Sequence, residues 1–209
     1  MKSIERTSSV EKEIKLNVID LRRIESRLKD LGAELTQNRV LETNLRFDLP
    51  DHCLEREHKA LRLRFDTHAR LTYKGPSALE GSVLTRTELE VDVDNFDTAV
   101  LLLDALGYIV TVKYEKYRTT YTVQGCQIML DELPIGNFVE IEGQHSEVLA
   151  EIAQAIGLDA RKAIPMSYIE LFNQVCKEQG FDKASLTFSA LKDSAIDLKR
   201  LEVSPADQA

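Results

Sequence analysis

At 209 residues, 43% hydrophobic and 30% charged, the chain has the composition of an ordinary globular protein and the length for one substantial core or two small ones. Its formal net charge of −8 argues against a general nucleic-acid binder, which needs a basic surface to displace counterions from phosphates. The opening "MKSIERTSSV" lacks an apolar stretch, no apolar run approaches a membrane span, and Cys53, Cys126 and Cys176 form no metal-type pair. The expectation is a cytoplasmic chain away from membranes, with reduced thiols.

The first element is a strand, "VEKEIKLNV" (10–18), in which charged and apolar side chains alternate. "DLRRIESRLKDLGA" (20–33) follows with Leu21, Ile24, Leu28 and Leu31 at helical spacing and a stop at Gly32. Four short alternating runs come next, "LETNLRFDLP" (41–50), "KALRLRFD" (59–66), "ARLTYKG" (69–75) and "LTRTELEVDV" (84–93), bounded by turn residues as in an antiparallel meander. A helix capped by Asn95 is predicted over 95–108, strands over 108–123, 126–133 and 137–143, and helices near 146–156 and 166–179. Beyond Phe181 the pattern predicts one more helix over 189–202 and a frayed polar end, "VSPADQA". Strand runs broken by helices without strict alternation indicate an α+β chain. Residues 1–180 are expected to form the main domain and 181–209 a helical extension.

One face of each strand carries charge. It reads Glu11, Glu13 and Lys15; Arg62 and Arg64; Thr72 and Lys74; Arg86, Glu88 and Glu90; Lys116 and Arg118; Asp131; Glu140 and Glu142. The opposite faces are apolar and call for helices as cover. An open sheet with a wet charged face satisfies this pattern, and so does a closed one with the charges inside, about eight strands sufficing for closure. Buried charge is costly unless it is paired or holds an ionic ligand, so the closed form would be a site. The residue types favour that form: guanidinium forks match phosphate oxygens, ammonium groups add compact charge, and the carboxylates are hard oxygen ligands suited to Mg²⁺ or Mn²⁺.

The ordered series "EKEIK", "NLRFDLP", "ALRLR", "LTYKGP", "RTELEV", "EKYR", "LDELPIGNFVEIEG" and "SYIELF", covering residues 10 to about 173, resembles the CYTH or triphosphate tunnel metalloenzyme family, which includes class IV adenylyl cyclases and thiamine triphosphatases. The resemblance implies an eight-stranded antiparallel β-barrel, or tunnel, with a charged interior and helices packed on its outside. It implies a catalytic set of Lys15, Glu11 and Glu13, with Mg²⁺ or Mn²⁺ on Glu11, Glu13, Asp131, Glu140 and Glu142. Arg62, Arg64, Lys74, Arg86, Lys116 and Arg118 would grip the triphosphate, and Glu88 and Glu90 would support them. Arg46 departs from the family pattern, where many relatives have Tyr, and His52, His58, His68 and His145 match no family position. "LDELPIGNFVEIEG" is most similar to the adenylyl-cyclase-like branch, so the expected reaction is conversion of ATP to cyclic AMP and pyrophosphate. Hydrolysis of inorganic or thiamine triphosphate is the alternative, and non-catalytic binding of polyphosphate or nucleotide the second. The implied partner is a small triphosphate, with neither nucleic acid nor membrane, and the extension leaves room for a homodimer.

Overall fold

The structure, a computed structural model, describes residues 9–76, 78–80, 83–181 and 185–208. The side chain of the candidate Glu11 lies outside the described residues, although its backbone is placed.

Eight strands form a ring. They are β1 (Ser9–Val18), β2 (Glu34–Asp48), β3 (Ala60–Phe65), β4 (Ala69–Lys74), β6 (Val83–Val93), β7 (Ile109–Val123), β8 (Cys126–Leu133) and β9 (Gly136–Gly143), with the short β5 (Ala78–Glu80) folded onto β6. The order β1-β9-β8-β7-β2-β3-β4-β6 returns to β1 through a β1–β6 pairing, and every pairing in the ring is antiparallel. The ring is uneven: β2 and β7 pair at 12 positions with three register shifts, whereas β1 and β6 pair at five. Closure leaves no free edge between β1 and β6, and it turns the alternation of each strand into an inside and an outside.

The outer face is covered as the apolar pattern requires. Helices α1 (Leu21–Asp30) and α4 (Ser146–Ala155) bring Ile24, Leu28, Leu149 and Ile152 onto Ile14, Leu16, Ile128 and Ile141, none more than 3% exposed. Each such side chain contributes about 1.5–3 kcal/mol by leaving water. α1 begins where the Asp20 carboxylate accepts from the Arg23 amide. A four-residue helix, α2 (Cys53–Arg56), sits between β2 and β3. Helix α3 (Phe96–Ala105), capped by Asn95, packs Ala99 and Leu103 on Phe47 and Leu63.

Helix α5 (Tyr168–Gln179) is placed differently. A capping box between Ser167 and Glu170 opens it and Gly180, left-handed at φ 79°, closes it. It packs on Tyr114, Leu133 and Phe138, which share the inward face with Lys116, Asp131 and Glu140, so α5 stoppers one end of the ring instead of covering its wall.

The helix expected over 189–202 does not form. Residues 185–208 instead make β10 (Ser185–Leu186), parallel to β7, then turns and a 3-10 turn at Leu198–Leu201. Leu186, Leu191 and Val203 are drawn onto α5, and long-range burial overrides the local helical spacing. The polar end is docked, not frayed. The Ala206 amide donates to the Asn17 carbonyl at 2.8 Å, and the Asp207 carboxylate accepts from the Ile19 and Asp20 amides at 3.0–3.1 Å.

Candidate functional site

The ring encloses a cavity of about 420 Å³. Twelve of the fourteen candidate residues line it: Glu13, Lys15, Arg62, Arg64, Lys74, Arg86, Glu88, Glu90, Lys116, Arg118, Glu140 and Glu142. Alternation on closed strands is what brings them together. Among the described residues, nine basic side chains and five carboxylates line the cavity within a chain whose net charge is −8, and three further carboxylates, Glu42, Asp66 and Asp131, pair with the same cations from behind the lining.

Asp131 lies behind the lining and anchors it. Its carboxylate accepts from Arg118 Nε at 2.6 Å, Lys116 Nζ at 2.9 Å and the Tyr168 hydroxyl at 2.9 Å, and it is fully buried. These donors, with a second one from Arg118, use the acceptor sites of the carboxylate. Burial, and then the Asp131 and Glu140 charges, push the Tyr168 phenol well above its ordinary value, so it remains a donor.

Lys15 stands beside this anchor. Its ammonium donates to the Met166 carbonyl at 3.0 Å, pairs with Glu140 at 3.1 Å and lies 4.5 Å from the centre of the Tyr168 ring. Burial alone would raise the Glu140 pKa, but Lys15, Lys116 and Arg118 outweigh it and hold the group well below the carboxylate range.

Glu42 on β2 was not singled out by sequence. It is 0% exposed, neither oxygen accepts a hydrogen bond from the described residues, and Arg64, Lys116 and Arg118 surround it at 3.5–3.9 Å. Burial opposes its charge, yet Lys116, Arg118, Arg64 and Arg62 together lower its pKa to about 2. Arg46, Arg70 and Tyr168 also belong to the lining without having been assigned a role. The signal was present for β2: in "LETNLRFD", Glu42, Asn44 and Arg46 alternate as Arg62 and Arg64 do in β3.

Across the cavity, Arg86 meets Glu88 at 2.8 Å and Glu13 at 3.5 Å, and Lys74 pairs with Glu88. Burial, and then the Arg62 and Arg86 charges, lower the Lys74 pKa to about 8 against the opposing pull of Glu88 and Glu13.

The carboxylates fit a hard cation. Glu13 and Glu142 are direct cross-strand partners, a pairing of like charges that Arg86, 3.5 Å from Glu13, offsets in part, and Lys15 faces Glu140 two residues further on. Among the described residues no three His, Cys, Asp or Glu side chains converge as a metal cage. Mg²⁺ asks for less, one or two carboxylates with water and phosphate oxygens completing its shell.

Comparison with known proteins accords with this geometry. The sequence model of the CYTH domain matches residues 9–163. No curated protein matches the chain significantly. Among solved structures, a presumed adenylate cyclase from Vibrio parahaemolyticus superposes with a TM-score of 0.72 at 24% identity, over 79% of this chain and 98% of its own. A Pyrococcus horikoshii protein gives 0.67 at 28% identity, over 78% of this chain and 98% of its own. A Hippeastrum protein described as a presumed adenylyl cyclase with dominant triphosphatase activity gives 0.58 at 20%, over 78% and 95%.

Proposed function

The chain belongs to the CYTH domain family, and on that premise we propose that it is a divalent-metal-dependent enzyme that holds a triphosphate inside the ring and cleaves one of its phosphoanhydride bonds. The observation that carries this reading is the convergence of nine guanidinium and ammonium groups on one cavity in an acidic chain. Guanidinium forks and ammonium groups gathered in this way match the oxygens of a phosphate chain.

In this reading Arg64, Lys116 and Arg118 bind phosphate oxygens, with Asp131 and Glu42 holding them extended. Asp131 serves as an anchor here, since its oxygens are already engaged. Lys15, fixed by Met166 and Glu140, neutralises charge on the chain at the stoppered end. Glu13 and Glu142, with Glu140 beside them, would hold Mg²⁺ or Mn²⁺; Glu11 is assigned to the same group from the sequence motif. The bound ion supplies charge neutralisation on the phosphates during displacement.

Hydrolysis is the form this lining favours. Charged side chains continue to Arg46, Lys74 and Arg86, where a cyclising site would have to hold the sugar and base. The second reading, cyclisation of ATP, draws on a neighbouring cavity that includes Phe47, Val112 and Ile169 and could take an organic group. Incubation with inorganic triphosphate and with ATP, each with Mg²⁺ or Mn²⁺, followed by product chromatography, tests both. Orthophosphate from triphosphate is expected; cyclic AMP from ATP would put the second reading first, and no turnover of either substrate would overturn the enzyme assignment.

A further inference from the structure

Arg46 stands apart from the other basic residues of the cavity. Each of the remaining eight has a carboxylate within 4.0 Å, whereas the Arg46 guanidinium has none among the described residues. Its neighbours make this worse. Arg46 is the direct cross-strand partner of Arg62, a like-charge pairing that is unfavourable in itself, and burial followed by the Arg62 and Arg86 charges lowers its pKa. Tyr114 and Glu170 pull the other way, but the Glu170 carboxylate already accepts from the Ser167 amide at 2.7 Å in the capping box. Among the described residues, no carboxylate therefore balances the Arg46 charge at ion-pair distance.

Its position says what could balance it. Arg46 lines both the central cavity and the neighbouring one of about 450 Å³, whose linings share Arg46, Lys74, Arg86, Ser167 and Ile169. Along β2, Arg46 lies four residues from Glu42, about 13 Å at strand rise, and Glu42 marks where Arg64, Lys116 and Arg118 converge. Three phosphates seated at that convergence leave Arg46 for a group beyond them.

We infer that Arg46 is a specificity-determining residue that binds a fourth phosphoryl group, in line with the three held deeper in the ring, so that the site prefers chains of four or more phosphates. This rests on the triphosphate reading of the cavity and extends it. A planar guanidinium fork beside Arg62 can take two oxygens of one phosphate, and binding there relieves the repulsion between the two arginines.

Calorimetric titration with inorganic triphosphate and inorganic tetraphosphate tests the inference in wild type, Arg46→Gln and Arg46→Lys. Wild type is expected to bind tetraphosphate about tenfold more tightly than triphosphate, equivalent to about 1.4 kcal/mol. In Arg46→Gln that advantage should fall below about twofold, while Arg46→Lys, which keeps the charge, should retain about threefold or more. A nucleoside 5′-tetraphosphate run alongside separates the sources: a tenfold advantage over the nucleoside triphosphate there assigns the fourth group to a nucleotide as well as to a bare chain. Triphosphate binding without a tetraphosphate advantage, or an advantage that survives in Arg46→Gln, overturns the inference alone. Failure of wild type to bind either anion overturns the triphosphate reading and this one with it.

Discussion

The two sides of the ring treat their charges differently. On the β7–β8–β9 side the cluster around Asp131 is locked: Asp131 accepts from Arg118, Lys116 and Tyr168, Glu140 meets Lys15 at 3.1 Å, and these groups are buried. On the β2–β3 side the arginine contacts are long, with Arg64 at 3.5 Å from Glu42 and Arg62 at 3.9 Å from Glu90, and Arg46 has no ionic partner among the described residues, although Lys74 and Arg70 on β4 pair closely with Glu88 and Asp66. A satisfied network rigidifies, whereas uncompensated charge raises the free energy of the empty site and is relieved by a ligand. One side is thus prebuilt framework and the other is where an anion gains most.

Breaking the framework should have the largest effect. Asp131→Asn leaves Arg118, Lys116 and Tyr168 facing a neutral group in the interior, and a loss of about 3–5 kcal/mol in denaturant unfolding is expected, along with loss of triphosphate binding. A change below about 1 kcal/mol would mean that the network does not hold this wall.

Glu13→Gln removes one carboxylate from the Glu13–Glu142 pair without changing its shape. Turnover should fall by about tenfold or more and recover partly at higher Mg²⁺ or Mn²⁺. Wild-type turnover at ordinary metal concentration would remove Glu13 from the metal site.

Lys74 offers a titration that reports on the cavity. Its pKa of about 8 in the free protein means that the ammonium is lost as pH rises past that value, and a bound anion favours the ammonium and raises the pKa. Triphosphate affinity, measured without metal, should therefore be flat below pH about 7 and decline above about 8, by at most about tenfold per pH unit. Binding in that upper range should take up a proton, visible as a dependence of the calorimetric heat on the buffer. A flat profile from pH 7 to 10 would place Lys74 away from the ligand.

The smallest effect is expected far from both walls. Asp207→Ala deletes the acceptor for the Ile19 and Asp20 amides at the end of β1, and a loss of about 1 kcal/mol with unaltered triphosphate affinity should follow. A larger loss would make the docked C-terminus part of the framework instead of an addition to it.

Much of this architecture was legible beforehand. The alternation in "VEKEIKLNV", "KALRLRFD" and "LTRTELEVDV" placed Lys15, Arg62, Arg64, Arg86 and Glu88 on one face, and the apolar spacing of Ile24 and Leu28 marked the helix that covers the other. The same alternation in β2 could have named Glu42 and Arg46 as inward, had the strand been read for its charges as the others were. The register shifts between Leu35 and Val40 then complicate the count further back along that strand.

The sequence by itself determined the faces, because a strand's two-residue period is local and survives in any sheet. Only the tertiary structure decided that the sheet closes, since the β1–β6 pairing joins residues about 75 positions apart in the chain and no local pattern encodes it. It also decided that Asp131 is spent on anchoring while Arg46 is left over, because partners are chosen by which strands become neighbours. The C-terminal residues make the same point: "SALKDSAIDLKRLE" has helical spacing, but Leu191 buried against α5 and Asp207 bonded to the end of β1 outweigh a preference worth a few tenths of a kcal/mol per residue, roughly.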